Sequence, residues 1–251
     1  MAPTTLFKQI WISMWRLAFL ITGVFWYPQC TSGDEIRVAV ASNFTIASEL
    51  LIDAFNETTG HRAVPNYGST GKHYAQIKNG APVNILLAAD SLRPRRLVEE
   101  GVAIKGTRFT YAIGRLVIWS PVIPVNDRTL ESDFEHLAIA NENLAPYGRA
   151  AKEYLSHRGA WEKLQQRLVR GENVNQALHF IRSGNAELGL IALSQVRNLE
   201  GFTYIIPAME YSPVIQQAVL ISEKAAARSF LAYLQSMEAR GIIESCGYTL
   251  P

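Results

Sequence analysis

The chain has 251 residues, with 24 Lys and Arg against 22 Asp and Glu, and 48% of its residues are hydrophobic. This near-neutral balance argues against nucleic acid or an acidic membrane surface as a partner, because both attract an excess of basic residues. The sequence shows no low-complexity tract and no repeat of fixed period, so we expect a non-repetitive globular protein.

The first 33 residues predict a secretory signal peptide. Lys8 and Arg16 are its only charged residues, and an apolar run at 17–27 is followed by the short polar stretch that precedes a cleavage site. We predict cleavage before Asp34 and therefore a periplasmic protein. The apolar run is shorter than the ~20 residues that a membrane span needs, while an uncleaved anchor and a lipid on Cys30 stay open.

The mature chain would hold one cysteine, Cys246, which excludes an internal disulfide and a cysteine-based metal site. We expect Cys246 to be a small buried residue. About 218 residues suit two lobes of roughly 100 residues each. We assign residues 34–115 and 210–251 to lobe I and residues 116–209 to lobe II.

Short apolar runs alternate with amphipathic helical patterns along the mature chain. Strands are predicted at 36–41, 63–67, 84–88, 116–119, 137–140, 188–192 and 214–221. Helices are predicted at 46–57, 70–79, 92–100, 149–158, 162–168, 174–183 and 225–238. This order predicts an α/β fold of mostly parallel sheets with helices on both faces. In such sheets ligands bind at the carboxyl ends of the strands.

Two polar corners lie where a strand gives way to a helix. Residues 66–72 read N-Y-G-S-T-G-K, and Ser69 or Thr70 is expected to cap the helix that follows. Ser42 and Asn43 occupy the same place after the first strand. Because a helix N-terminus presents unpaired N–H groups and the positive end of its dipole, the two corners together predict an anion site.

The second corner, at residues 66–72, has three other possible interpretations. A phosphate-binding P-loop fails on spacing, because Asn66 and His73 stand where that motif needs Gly and Ser or Thr. A hydrolase that uses Ser69 with His73 lacks a nearby carboxylate to orient the base. A plain helix cap without a ligand stays open for this segment taken alone.

Two further corners lie in the second half of the chain. Residues 140–148 read A-N-E-N-L-A-P-Y-G and lead from a strand into a helix that Pro146 starts. Residues 171–174 read G-E-N-V and precede the next helix. The site is therefore expected in a cleft between two lobes. We recognise no His, Asp or Glu cluster with the spacing of a metal site.

Several linked motifs occur in a fixed order from residue 36 to the C-terminus. They read V-A-V-A-S-N, Y-G-S-T-G-K, Q-I-K-N-G-A-P-V-N-I-L-L-A-A-D, P-Y-G-R-A-A-K-E-Y-L, G-A-W-E-K-L, G-E-N-V-N-Q-A-L, L-G-L-I-A, F-L-A-Y-L and G-Y-T-L-P. Each motif is weak alone, but their order and spacing are specific. The chain resembles the molybdate-binding periplasmic proteins that serve ABC importers.

The resemblance implies a two-lobed, type II periplasmic binding fold, in which neutral hydrogen-bond donors hold a tetrahedral oxyanion between the lobes. Carried over onto this chain, the ligand residues are Ser42, Asn43, Ser69, Tyr147 and Val174, the last through its backbone N–H. The molybdenum is then bound only as its oxyanion, with no direct protein ligand to the metal.

One position departs from the family pattern. Many members have a tyrosine where this chain has Ala192, and many of those have a small residue where Tyr147 stands. We therefore predict that the phenol donor has moved to Tyr147, with packing at the cleft edge as the alternative.

The resemblance implies a monomeric transport protein rather than an enzyme, with no cofactor. Its ligand would be molybdate or tungstate, and its partner the membrane permease of an ABC importer. Three alternatives remain: a receptor for sulfate or another tetrahedral oxyanion, a secreted hydrolase that uses Ser69, and a receptor that has drifted to a new small ligand, as Tyr147 and Ala192 would signal.

Overall fold

The computed structural model describes residues 33–251 as alternating strands and helices. The strands are β1 (Glu35–Ala41), β2 (Arg62–Gly68), β3 (Ile85–Ala88), β4 (Phe109–Gly114), β5 (Leu116–Ser120), β6 (Leu137–Ala140), β7 (Leu168–Gly171), β8 (Leu188–Ala192), β9 (Phe202–Ile205) and β10 (Val214–Leu220). The helices are α1 (Thr45–Thr59), α2 (Thr70–Lys78), α3 (Leu92–Glu99), α4 (Pro146–His157), α5 (Trp161–Leu164), α6 (Val174–Arg182), α7 (Leu193–Val196), α8 (Ala225–Tyr233) and α9 (Met237–Ser245).

The strands form two five-stranded sheets. The first sheet has the order β2-β1-β3-β10-β4, and the second has the order β7-β6-β8-β5-β9. In each sheet four strands run in one direction and one strand, β10 or β5, runs against its neighbours. The prediction of mostly parallel sheets is therefore confirmed.

Helices cover both faces of the first sheet. Alternate residues of β1 point to opposite faces, so Val38 and Val40 pack with α1, α8 and α9, while Ala39 packs on the side of α2 and α3. The second sheet has its own apolar core, to which α4 and α6 contribute. We call the first sheet with α1, α2, α3, α8 and α9 the first lobe, and the second sheet with α4 to α7 the second lobe.

The chain passes between the two sheets twice. β4 ends at Gly114 in the first sheet and β5 begins at Leu116 in the second. The return runs from the end of β9 at Ile205 to the start of β10 at Val214. The C-terminal tail rejoins the first sheet, where Thr249 pairs with Ile113.

The predicted elements differ from the structure in several places. The short helix α7 was not predicted, and the helix predicted at 162–168 is α-helical only as far as Leu164. The three strands that the sequence patterns missed, β4, β7 and β9, all lie at sheet edges. The helix predicted at 225–238 is wrong, because it ends at Tyr233 and a new helix starts at Met237. Ser236 caps that new helix, since its side chain accepts a hydrogen bond from the N–H of Ala239 at 3.1 Å.

The signal peptide predicted for residues 1–33, including Cys30, lies outside the described residues except for Gly33. Among the helices of residues 33–251, none has both the length and the apolar character needed to cross a membrane. Cys246 is buried as expected, and burial raises the pKa of its thiol.

Candidate functional site: an oxyanion cavity between the lobes

The N-terminus of α2 is capped by Ser69. Its Oγ accepts a hydrogen bond from the N–H of Lys72 at 3.3 Å, and the N–H of Gly71 donates to the carbonyl oxygen of Leu144 at 2.8 Å. Thr70, the first residue of the helix, is fully buried. Since neither contact uses the N–H of Thr70 or the hydroxyl hydrogen of Ser69, both remain available as donors to a ligand.

The N-terminus of α6 is capped by Asn173. The Oδ1 of Asn173 accepts from the N–H groups of Asn175 at 3.0 Å and Gln176 at 3.1 Å, and its carbonyl oxygen accepts from Ala177 at 3.1 Å. Three of the four first N–H groups of the helix are thereby satisfied. The fourth N–H group belongs to Val174, a residue that is only 2% exposed.

The helix α4 starts at Pro146, which has no N–H to satisfy. Its next residues, Tyr147 and Gly148, carry N–H groups of the first turn, and no side chain caps this helix. Gly148 allows the helix to lie against the end of β6, because a Cβ there would come within 2.3 Å of the carbonyl oxygen of Ala140. The start of α4 is therefore pressed closely against the sheet.

Ser42 and Asn43 begin a single 3₁₀ turn that continues into α1. The side-chain Nδ2 of Asn43 donates to Gln216 Oε1 at 2.9 Å and to Tyr248 Oη at 3.0 Å, so both of its N–H bonds are used. What Asn43 can offer a ligand is its backbone N–H, one of the unpaired donors at the start of the turn.

These four corners meet at one small cavity. Its lining residues are Ala41, Ser42, Asn43, Gly68, Ser69, Thr70, Ala89, Ala145, Pro146, Tyr147 and Val174. The structure thus brings together all five residues that the sequence predicted for the site. The cavity is small: the volume open to the centre of a water-sized sphere is ≈ 10 Å³, which is room for about one water molecule.

The electrostatic character of the cavity is positive without a charged side chain in its lining. The N-termini of α2, α4 and α6 and the turn before α1 all converge on it, and each presents the positive end of aligned peptide dipoles. Oriented N–H and O–H donors with no competing charge form a site for a small anion.

Thr70 is a lining residue with a polar side chain that the sequence-based prediction left out of the ligand set. The sequence carries a signal for it, because Thr70 follows Ser69 at the predicted start of α2. Its hydroxyl accepts from the N–H of Ala89 at 3.0 Å, which ties α2 to the end of β3. The available donor of Thr70 is its backbone N–H.

The hydroxyl of Tyr147 lies in a different environment from its backbone N–H. A Cβ on Gly114 would lie 2.0 Å from Tyr147 Oη and 3.0 Å from Gln216 Nε2, so the hydroxyl lies deep at the crossing between the sheets. Burial raises the pKa of this phenol well above its ordinary value. Ala192 is fully buried, and its N–H donates to Gln195 Oε1 at 3.1 Å.

Polar contacts join the two lobes around the cavity. They are Gly71 N to Leu144 O at 2.8 Å, Lys72 Nζ to Glu172 Oε1 at 2.9 Å, Arg93 Nη2 to Asn143 O at 3.1 Å, Asn175 Nδ2 to Thr45 Oγ1 at 3.1 Å and Ser194 Oγ to Asn43 O at 3.1 Å. The structure is therefore a closed form, in which both lobes contribute to the cavity wall.

The hydrolase alternative is not supported by the geometry of Ser69 and His73. Nε2 of His73 lies 3.1 Å from the carbonyl oxygen of Val40, so it carries the proton and donates to that oxygen. Within the described residues no hydrogen bond joins the imidazole to Ser69 Oγ, which is occupied by the N–H of Lys72. Burial lowers the pKa of His73, with the hydrogen bond to Val40 opposing that shift.

One cluster with metal-ligand chemistry escaped the sequence reading. Glu135, His136 and Glu187 hold ligand atoms within 4.8 Å of one another, at the exposed end of the second sheet. The sequence did not show it because Glu187 is distant from the other two along the chain. Both carboxylate oxygens of Glu187 already accept backbone N–H groups, at 3.2 Å from Glu135 and 2.9 Å from His136.

The fold and the cavity are those of a solute-binding protein. The profile of the family described as bacterial extracellular solute-binding protein matches residues 36–249, so the chain belongs to that family.

Within it, the chain is similar to proteins named for molybdate binding. The molybdate-binding protein ModA of Rhodobacter capsulatus is 42% identical over 224 residues, which cover 86% of this chain and 89% of that protein. ModA of Azotobacter vinelandii is 40% identical over 227 residues, 86% of this chain and 90% of the relative. The structure of the Azotobacter vinelandii periplasmic molybdate-binding protein superposes with a TM-score of 0.83 at 41% identity, over 86% of this chain and 99% of that one.

These relatives confirm the resemblance to the molybdate-binding periplasmic proteins and the two-lobed fold. Their molybdate is a ligand and not a cofactor, and they are binding proteins. The protein is accordingly not an enzyme, and the secreted-hydrolase alternative is wrong.

Proposed function

We propose that this protein is a periplasmic receptor that captures molybdate, and also tungstate, and delivers it to the membrane permease of an ABC importer. The observation that carries the proposal is the convergence of four uncharged backbone corners on one small cavity between the lobes. The names of its relatives identify the class of anion, since they are molybdate-binding proteins.

Neutral donors suit the capture of a dianion. Burying such an ion is very costly unless every oxygen accepts a hydrogen bond. A ring of N–H and O–H donors is satisfied only by an anion whose oxygens all accept and whose size fits the ring, which gives specificity. Charge-assisted bonds contribute about 1.5 to 3 kcal/mol each, so half a dozen can support nanomolar binding near −12 kcal/mol.

We assign a donor group to each residue of the ligand set by excluding the groups that already make hydrogen bonds within the protein. Ser42 and Ser69 donate through their hydroxyl groups, and Asn43, Tyr147 and Val174 donate through their backbone N–H groups. The caps support this assignment, because they satisfy neighbouring N–H groups and leave these donors for the anion.

The domain boundaries follow from the same proposal. Residues 1–33 form a signal peptide that directs the chain to the periplasm, residues 34–115 with 210–251 form lobe I, and residues 116–209 form lobe II. Support comes from the sheet order, because β1 to β4 and β10 form one sheet and β5 to β9 the other. We propose that the receptor acts as a monomer whose lobes close on the anion and open to release it to the permease.

Titration calorimetry on the mature protein tests the proposal. Molybdate, tungstate, sulfate and phosphate are titrated separately at constant ionic strength, and we expect tight binding of the first two and binding at least 100-fold weaker for the others. Tight binding of sulfate with weak binding of molybdate would instead establish the sulfate-receptor alternative. Binding of none of the four anions would overturn the proposed function.

A further inference from the structure

Gln216 connects to a residue of the proposed ligand set. It lies on β10 and is fully buried, and its Oε1 accepts from Asn43 Nδ2 at 2.9 Å and from Tyr111 Oη at 3.2 Å. The pairing of β10 with β4 shifts register between Gln216 and Gln217. Such an irregularity turns a side chain away from the regular direction of the strand. The side chain of Gln216 therefore reaches Asn43, in the turn that follows β1.

Two buried polar atoms in this region have no hydrogen-bond partner within the described residues. They are Gln216 Nε2 itself and Tyr147 Oη. Both lie against Gly114, because a Cβ there would be 3.0 Å from Gln216 Nε2 and 2.0 Å from Tyr147 Oη. Gln216 belongs to the first lobe and Tyr147 to the second, so the two groups approach each other where the chain crosses between the lobes.

The chemistry of the two groups is complementary. An amide N–H only donates, and a phenol oxygen can accept, so one hydrogen bond would satisfy both. A buried polar group without a partner is destabilising, and this favours pairing over leaving both groups unsatisfied. Gly114 leaves space for both groups, since a Cβ there would come too close to Tyr147 Oη and within 3.0 Å of Gln216 Nε2.

We propose that Gln216 is a positioning residue for the oxyanion site, which holds Asn43 through Oε1 and pairs with the hydroxyl of Tyr147 through Nε2 in the anion-bound protein. One amide thereby links a ligand residue of each lobe. The inference rests on the proposed function. It also assigns the Tyr147 phenol a protein partner, so that the anion is met by the backbone N–H of Tyr147 instead of its hydroxyl.

A double-mutant cycle tests this pairing. Molybdate Kd is measured for the wild type, Tyr147→Phe, Gln216→Met and the double variant, with Tyr154→Phe as the control because Tyr154 is a buried tyrosine on the same helix α4. We expect Tyr147→Phe to weaken binding roughly three- to ten-fold in the wild type and to have no further effect in the Gln216→Met background. Tyr154→Phe should have the same effect in both backgrounds.

An equal loss from Tyr147→Phe in both backgrounds would overturn the inference, since it would mean that the phenol contacts the anion directly. No loss in either background would overturn it as well. A wild type that does not bind molybdate refutes the proposed function instead, so the two failures are distinguishable.

A second measurement decides the matter if Gln216→Met does not fold. The side-chain amide resonance of Gln216 is followed by NMR during molybdate titration of the wild type and of Tyr147→Phe. We expect the resonance to shift in the wild type and to shift much less in Tyr147→Phe. An identical shift in both proteins refutes the pairing, because a merely structural Gln216 would not respond to the hydroxyl.

Discussion

Replacing Gly71 by alanine adds one methyl group where α2 of the first lobe meets the second lobe. The N–H of Gly71 donates to Leu144 O at 2.8 Å, and a Cβ on Gly71 would lie 2.7 Å from that same oxygen and 3.1 Å from the Cα of Leu144. Ordinary contacts between carbon and carbonyl oxygen are about 3.3 to 3.6 Å. The second lobe must therefore retreat by roughly half an ångström or more before it can close.

The expected effects on stability and on affinity have opposite signs. Alanine is a better helix residue than glycine, so Gly71→Ala should leave the ligand-free protein as stable as before or more stable by up to about 1 kcal/mol. The clash acts only in the closed form, where overpacking costs about 1 to 3 kcal/mol. Molybdate Kd should then rise roughly 5- to 150-fold.

Gly241→Ala is the matched control. Gly241 lies inside α9, and a Cβ there meets no atom within 4 Å. We expect it to raise the free energy of unfolding by about 0.5 to 1 kcal/mol without a change in Kd. Thermal denaturation without ligand and calorimetric titration with molybdate are measured for both variants. Equal Kd values for Gly71→Ala and Gly241→Ala would refute the idea that Gly71 limits how closely the lobes approach.

Two more predictions concern the cap of α2 and the buried imidazole. Ser69→Ala removes a proposed ligand and should weaken molybdate binding roughly 10- to 150-fold. The control Ser236→Ala removes the cap of α9 and should cost about 1 kcal/mol of stability without changing Kd. Similar Kd values for the two variants in calorimetry would contradict the ligand role of Ser69. Because burial lowers the pKa of His73 below the 6.5 of the free side chain, the unfolded chain binds that proton first. The contribution of His73 to the free energy of unfolding should be complete above about pH 6.5 and fall, by at most ~1.4 kcal/mol per pH unit, until the folded-state pKa is reached. Urea denaturation from pH 7.5 to 5 checks this: His73→Gln should flatten the decline, and equal slopes for the wild type and His73→Gln would contradict it.

Local patterns were sufficient for the elements that are buried on both faces. The runs that became β3, β6 and β8 are continuous, fully buried apolar segments, and β1 ends in the buried run V-A-V-A; the predicted positions of all four strands agree with the structure within about a residue. The edge strands β4, β7 and β9 are partly exposed, so their sequences carry no continuous apolar run.

The site could be predicted from its corners, because each corner has a local chemical cause. Ser69 and Asn173 are helix-capping residues at the ends of strands, and Pro146 starts a helix without needing a donor partner. Such features depend on a few neighbouring residues and can be predicted from the sequence alone. The resemblance to the molybdate-binding proteins added the prediction that these corners share one ligand.

The direction of each side chain was decided by the tertiary structure. Nothing in the sequence near Asn43 shows that its amide turns to Gln216 and Tyr248, both more than 170 residues away along the chain. The same holds for Tyr147, whose hydroxyl lies beside Gly114 at the crossing of the sheets. The sequence by itself determined where helices begin and which donors they leave unpaired. Only the packing of two sheets against each other decided which of those donors face a common cavity, because that depends on contacts between segments that are far apart in sequence.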